Sequence, residues 1–169
     1  MAKSGITRRI DELGRIVVPK EIRYNLGIRD GEPLEIYVEN KSIVIKKYSQ
    51  IENIKDISQK IADIISDSCN VDICISDREK FIASNKQLNT IINNKLDNKY
   101  KKLIDDRESY ISEKIETIFN ISCYVTIIPI ITSTDCSGLI FILSKTNSKE
   151  NLKYAKIVQK LIIQKLEIS

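Results

Sequence analysis

Over the first fifty positions hydrophobic and polar residues alternate in short runs. Residues 4–11 read as a strand with Ile6, Arg8 and Ile10 on one face and Thr7, Arg9 and Asp11 on the other, since successive strand side chains point to opposite sides. Glu12–Arg15 contains Gly14 and reads as a turn, and Ile16–Val18 as a second strand. Pro19 suits the first turn of a short helix, where a missing N–H costs nothing. Ile22 and Leu26 form that helix's apolar stripe, and Gly27 stands where a C-terminal cap favours glycine. Arg29–Glu32, with Asp30-Gly31, is a tight turn. Leu34, Ile36 and Val38 then alternate with Glu35, Tyr37 and Glu39, the pattern of a half-buried strand. Asn40-Lys41 closes a hairpin onto Ser42–Tyr48, where Ile43 and Ile45 share a face.

The period then lengthens. Ile51, Ile54, Ile57, Ile61, Ile64, Ile65 and Ser68 recur at three-and-four spacing and predict a helix over 51–69, with no glycine- or proline-rich linker before it. Its stripe fits either a coiled-coil seam or ordinary core. Val71–Ser76 and Phe81–Ser84 read as strands joined by a turn at Asp77–Lys80. Leu88, Ile91, Ile92, Leu96, Tyr100, Leu103 and Ile104 mark a helix, and a strand is expected to start near Ser109. Ile121–Thr132 and Ser137–Lys145 are strongly β, with a loop at Ser133–Cys136, and Lys149–Ile168 is a final helix. An antiparallel sheet with flanking helices follows, an α+β sensor-type domain.

These two patterns divide the chain at 1–50 and 51–169. A fifty-residue unit buries only about 60% of its unfolded surface and is marginal alone. Ile16-Val17-Val18 and Ile43-Val44-Ile45 are apolar on both faces, which a two-stranded hairpin cannot cover. An interleaved homodimer would cover them; packing on the rest of the same chain is the alternative.

Charge sharpens the picture. The net charge is +4 over 169 residues. Residues 1–50 carry ten Lys+Arg against seven Asp+Glu, and five of the seven arginines fall in the first thirty residues. Arginine's planar fork suits phosphates and guanine edges better than lysine does. Arg8, Arg9, Arg15 and Arg23 are therefore candidates to face nucleic acid, eight guanidiniums in a two-fold dimer. The competing reading pairs them with Asp11, Glu12, Glu21 and Asp30 in surface ion pairs worth about 0–1 kcal/mol each. The chain has no histidine, which removes the commonest general base and most zinc sites. Cys69, Cys74, Cys123 and Cys136 form no C-x-x-C pair and read as buried small hydrophobes. No metal, cofactor or membrane partner is expected, and a reducing cytoplasm is.

Residues 4–48 closely resemble the AbrB-type swapped-hairpin domain of bacterial transition-state regulators. The resemblance is carried by Gly5-Ile6, Arg8, Asp11-Glu12-Leu13-Gly14-Arg15, Pro19, Glu21-Ile22-Arg23, Leu26-Gly27-Ile28, Leu34-Glu35-Ile36-Tyr37-Val38 and Ile45-Lys46-Lys47-Tyr48. It implies that two chains interleave their hairpins and that Arg8, Arg9, Arg15 and Arg23 face DNA. The family often has a second arginine after the helical one; here that position is Tyr24. The remaining chain resembles the GAF-type domain that follows this module in a family of sporulation regulators, through its length, its connecting helix and the Asp77-Arg78 turn. The fold expected is therefore a swapped-hairpin dimer domain plus a GAF-like α+β domain. The function implied is transcription regulation on double-stranded DNA as a homo-oligomer, dimeric through 1–50 and a candidate tetramer through 51–169. Asp77, Arg78 and Ser84 are candidate contacts for a small molecule of unknown identity, with pure oligomerisation as the alternative role of that half. An antitoxin-like protein whose second half binds a protein partner is the rival reading. A thiol enzyme on the second half is disfavoured.

Overall fold

The computed structural model describes residues 5–48, 55–133, 135–147 and 149–168. The chain divides after Tyr48 into two compact units.

In the N-terminal unit, α1 (Lys20–Asn25) starts directly after Pro19. It ends in a Schellman cap: Gly27 N–H donates to the Tyr24 carbonyl (3.0 Å) and Ile28 N–H to the Arg23 carbonyl (2.7 Å). Gly27 adopts φ +60°, which a side chain disfavours. β1 (Leu34–Glu39) and β2 (Ser42–Lys47) pair antiparallel, Glu39 opposite Ser42. Asn40 and Lys41 both have positive φ (48° and 62°), the geometry of a two-residue hairpin turn whose twist matches the strands.

Two expectations differ here. The strands expected over 4–11 and 16–18 are not formed in the single chain; 5–10 and 15–19 run without a ladder, and residue 4 lies outside the described residues. Only the turn between them closes, with Gly14 N–H on the Asp11 carbonyl (3.0 Å) and Asp11 N–H on the Arg15 carbonyl (3.1 Å). A strand exists only beside a neighbour, and one chain supplies none. Likewise β1 is not half-buried. Leu13 (75%), Val17 (74%), Val38 (75%) and Ile43 (61%) stand exposed, because a hairpin and a six-residue helix have no second layer to lay over them.

The C-terminal unit is self-sufficient. α2 (Lys55–Cys69) precedes a sheet of β3 (Asp72–Ser76), β4 (Phe81–Ser84), β5 (Tyr110–Ile111), β6 (Glu116–Ile118), β7 (Ile121–Ile131) and β8 (Cys136–Ser144). The order is β4-β3-β8-β7-β5, with β6 also on β7, and every pairing is antiparallel. On one face Ile73, Ile75, Ile128, Ile130, Ile140 and Ile142 pack under α2 and α4 (Lys149–Ile168) through Ala62, Ala155, Val158 and Ile162. On the other, Cys74, Val125, Ile127, Leu139 and Phe141 meet Leu88, Leu96, Tyr100 and Ile104. Both faces of the central strands are covered, so β7 and β8 read as continuous apolar runs. The first four residues of the helix expected over 51–69 lie outside the described residues. Against the sheet α2 presents Ser58 and Ala62, with Ile57, Ile61 and Ile65 half-buried beside them and Ile64 exposed.

The single helix expected from Leu88 to Ile104 is two pieces, a 3-10 turn (Lys86–Ile91) and α3 (Asn98–Asp106). Asn93, at φ +69°, breaks the run: its N–H donates to the Phe81 carbonyl (2.8 Å), while Phe81 N–H donates to the Asn94 carbonyl (3.0 Å). Edge pairing with β4 outcompetes helix propensity there. β6 was not expected. It is joined to β7 by Phe119-Asn120 at φ +51° and +62°. Phe119 tolerates this conformation while its ring packs edge-on to Phe81, centroids 5.2 Å apart.

Gly138 on β8 lies so close to β3 that a Cβ would sit 1.9 Å from the Ser76 carbonyl oxygen. Gly138→Ala should destabilise the chain by about 2–3 kcal/mol, as overpacking against fixed backbone does; urea unfolding of the full chain checks this, with a lowered midpoint expected.

Candidate nucleic-acid interface

All four candidate arginines lie in the N-terminal unit, on the first arm, the turn and α1. Arg8 and Arg9 are both exposed on the first arm; the alternation sets Arg8 on the apolar face with Ile6 and Ile10, but with no ladder formed neither face of this arm is covered. Arg8 also borders an apolar groove of about 310 Å³ walled by Ile6, Ile16, Val18, Pro19, Ile22, Leu26 and Ile45.

Arg15 sits at the end of the turn, 72% exposed, and is tied to Asp11. Asp11 Oδ1 accepts from the Leu13 N–H (3.0 Å) and the Arg15 N–H (2.8 Å), and Oδ2 accepts from Arg15 Nε (2.7 Å). The Arg15 amide and guanidinium hold the Asp11 carboxyl below its ordinary 3.8. A carboxylate lowered on folding stabilises the turn at neutral pH and loses that effect as pH falls through its folded value. From sequence alone this pair stands only as a competitor for DNA. The signal that Asp11 also builds the turn was there in Asp-x-x-Gly-Arg, an aspartate four residues before the arginine across a glycine.

Arg23 is partly buried on α1. Its Nη1 donates to Asp30 in the following turn, and its Nε is buried with no hydrogen-bond partner among the described residues. Tyr24 beside it is 85% exposed. Lys46 pairs with Glu35 (3.1 Å) and lies over the Tyr37 ring. Both readings of the arginines are thus present at once: Arg15 and Arg23 have carboxylate partners, yet their shared unit presents them at its surface.

The three residues considered for ligand binding are not brought together. Asp77 caps its own turn, Oδ1 accepting from the Glu79 and Lys80 N–H groups (both 2.7 Å). Arg78 ties that turn to the β7–β8 loop and α3 by donating to Asp135 Oδ2 (2.8 Å), the Cys136 carbonyl (2.8 Å) and Asp105 Oδ1 (3.4 Å). Ser84 lies at the far end of the β3–β4 hairpin, opposite Cys74. Its carbonyl accepts from Gln59 Nε2 (2.6 Å), and its Oγ is buried with no partner among the described residues.

A family model described as "Antidote-toxin recognition MazE, bacterial antitoxin" matches residues 7–53, and one described as "Stage V sporulation protein T C-terminal, transcription factor" matches residues 53–167. The chain is 32% identical over 166 residues to stage V sporulation protein T of Bacillus subtilis (strain 168), covering 93% of each. It is 52% identical over 48 residues to the transition state regulatory protein AbrB of that organism, 28% of this chain and 50% of that one. Among solved structures, residues 122 to 287 of a methyl-accepting chemotaxis protein superpose with TM-score 0.53 at 12% identity, over 69% of this chain and 92% of that one. The cofactor binding GAF domain of the nutrient sensor CodY from Clostridium difficile does so with TM-score 0.50 at 14% identity, over 64% and 83%. At those identities the likeness is one of fold. The first unit is of the swapped-hairpin type and the second is GAF-like, as the resemblances implied.

The thiols fit packing better than chemistry. Burial pushes Cys74 well above the ordinary thiol value, with Asp72 adding to it, and raises Cys123 and Cys136. In native buffer near neutral pH an aromatic disulfide reagent should label Cys69 first and leave the other three until denaturant is added; peptide mapping of labelled protein checks this, and fast native labelling of Cys74 would contradict it.

Proposed function

The chain belongs to the stage V sporulation protein T family, and on that premise we propose that it is a homo-oligomeric, DNA-binding transcription regulator of sporulation genes. Its residues 1–50 are the dimerising DNA-binding domain and 51–169 a sensory and oligomerising one.

One observation carries the reading: the unit with the arginines is also the unit that cannot close its own core. Nine aliphatic side chains between Ile6 and Ile43 stand exposed in the single chain. Burying a Val, Leu or Ile contributes roughly 1.5–3 kcal/mol. The nine are on average about 60% exposed, so covering all of them in both chains of a two-chain assembly gives roughly 16–33 kcal/mol, against an association cost of about 4–15 kcal/mol. Burial therefore wins, and a second copy of the same unpaired arms supplies both the ladder partner for 5–18 and an occupant for the groove beside Arg8.

Dimerisation brings two copies of Arg8, Arg9, Arg15 and Arg23 into one body. Guanidiniums on this scale serve phosphate contact and groove shape as much as base edges. Six to eight neutralised phosphates would give a log affinity against log salt slope of about −5 to −7. The antitoxin-like alternative has the 7–53 match behind it. The same stretch is 52% identical to a transition-state regulator, and the rest is matched by a transcription-factor model, which favours gene regulation. Among the described residues no helix is long and apolar enough to cross a membrane.

Arg15→Ala or Arg23→Ala in the full chain should weaken binding to sheared bacterial genomic DNA. The salt slope should become shallower by about 1.8, because each chain of the dimer then neutralises one phosphate fewer. Light scattering should show the assembly mass unchanged. Undiminished affinity at moderate salt would remove that arginine from the interface.

A further inference from the structure

We propose that Asp11 is a positioning residue for DNA binding, acting through Arg15; this rests on the reading that Arg15 faces DNA. A carboxylate in a surface meant for phosphates is at first sight a cost, since it adds a like charge beside the backbone. Its geometry shows what it does in return.

Asp11 serves two separate structures with two separate oxygens. Oδ1 takes the Leu13 and Arg15 backbone N–H groups and so shapes the turn, which the Asp11–Arg15 and Asp11–Gly14 backbone bonds also close. Oδ2 takes Arg15 Nε, its one hydrogen-bond partner among the described residues. Nε is the stem side of the guanidinium, and the two terminal nitrogens lie farther out along the side chain. The side chain stays 72% exposed although tied. A contact at the stem fixes the long side chain without capping its tip. A free arginine must give up rotamer freedom when it meets a phosphate, and a tether on its stem meets part of that loss beforehand. Like any aspartate Asp11 is ionised at neutral pH, and its bonds to Arg15, which lower its carboxyl further, carry the tether into more acid conditions.

The oxygens can be separated by one substitution. Asp11→Asn keeps an amide oxygen where Oδ1 accepts the two backbone N–H groups but can set an NH2 against Arg15 Nε, donor against donor, which releases the side chain. The net change also removes a negative charge, which by itself would tighten DNA binding. The two ideas therefore predict opposite signs.

The experiment is a double-mutant cycle on the full chain, with sheared bacterial genomic duplex DNA as the probe and light scattering as a check on assembly. Asp11→Asn should weaken DNA binding by roughly 3- to 10-fold, the range expected when one side chain must be ordered on binding instead of before it. It should leave the salt slope unchanged, because no phosphate contact is deleted. In an Arg15→Ala background the same substitution should not weaken binding at all, a result that a merely structural role of Asp11 in the turn would not give. Tighter or equal binding by Asp11→Asn alone, or equal weakening with and without Arg15, overturns the proposal. If Arg15→Ala itself leaves affinity intact, the assignment of Arg15 to the interface fails, and the positioning role with it.

Discussion

The arms, hairpin and six-residue helix of the first 48 residues carry more aliphatic surface than they can hide from water. Ile36, Val38 and Ile43 stand exposed on the strands, and Leu13, Ile16 and Val17 stand exposed on and just past the turn. Refolding within one chain does not solve this, since there is no second layer to move. Association does, because each chain's unpaired arm is both a ladder edge and an apolar cover. Dimerisation, as proposed, is then not an addition to a folded module but the step that completes its core. The arginines proposed to face DNA take their spacing across the two chains from that step.

The C-terminal unit makes the contrast plain. There the central strands β7 and β8 are covered on both faces by helices or by the α3 side of the fold, and Ile73, Ile75, Ile140 and Ile142 are fully enclosed. Its ion pairs join elements distant in sequence, as Arg78 does with Asp135 and Asp105. In the N-terminal unit the pairs Arg15–Asp11 and Arg23–Asp30 join residues near in sequence. They hold side chains at the surface of a unit that has little interior. On the proposed reading a local carboxylate positions Arg15, and assembly sets the spacing of the arginines.

Much of this was legible in the residues. The β1–β2 hairpin, the Gly27 cap, the β7 and β8 runs and the span of α4 follow in turn from period-two alternation, a glycine after an apolar pair, continuous apolar stretches and period 3.6. What was not legible has physical causes. Whether 5–18 are strands depends on a neighbour that one chain does not supply, so the sequence reads as β and the single chain shows none. The break at Asn93 depends on β4 offering its edge, a long-range contact no local window contains. Phe119 at positive φ is held by an aromatic cluster, so the β6–β7 turn lacks the glycine or asparagine first position that marks such turns. The arginines were found by composition and resemblance, and Asp-x-x-Gly-Arg signals that Asp11 builds the turn; the division of work between its two oxygens is visible only once they are placed.

The most direct measurement uses a one-to-one mixture of isotope-labelled and unlabelled full-length chains, refolded together, with spectra filtered for contacts between chains. The account predicts interchain contacts from the methyls of Ile16 and Val17, and slow amide exchange along 5–18. Contacts confined to a single chain, with those amides exchanging as freely as an unpaired arm, would contradict it.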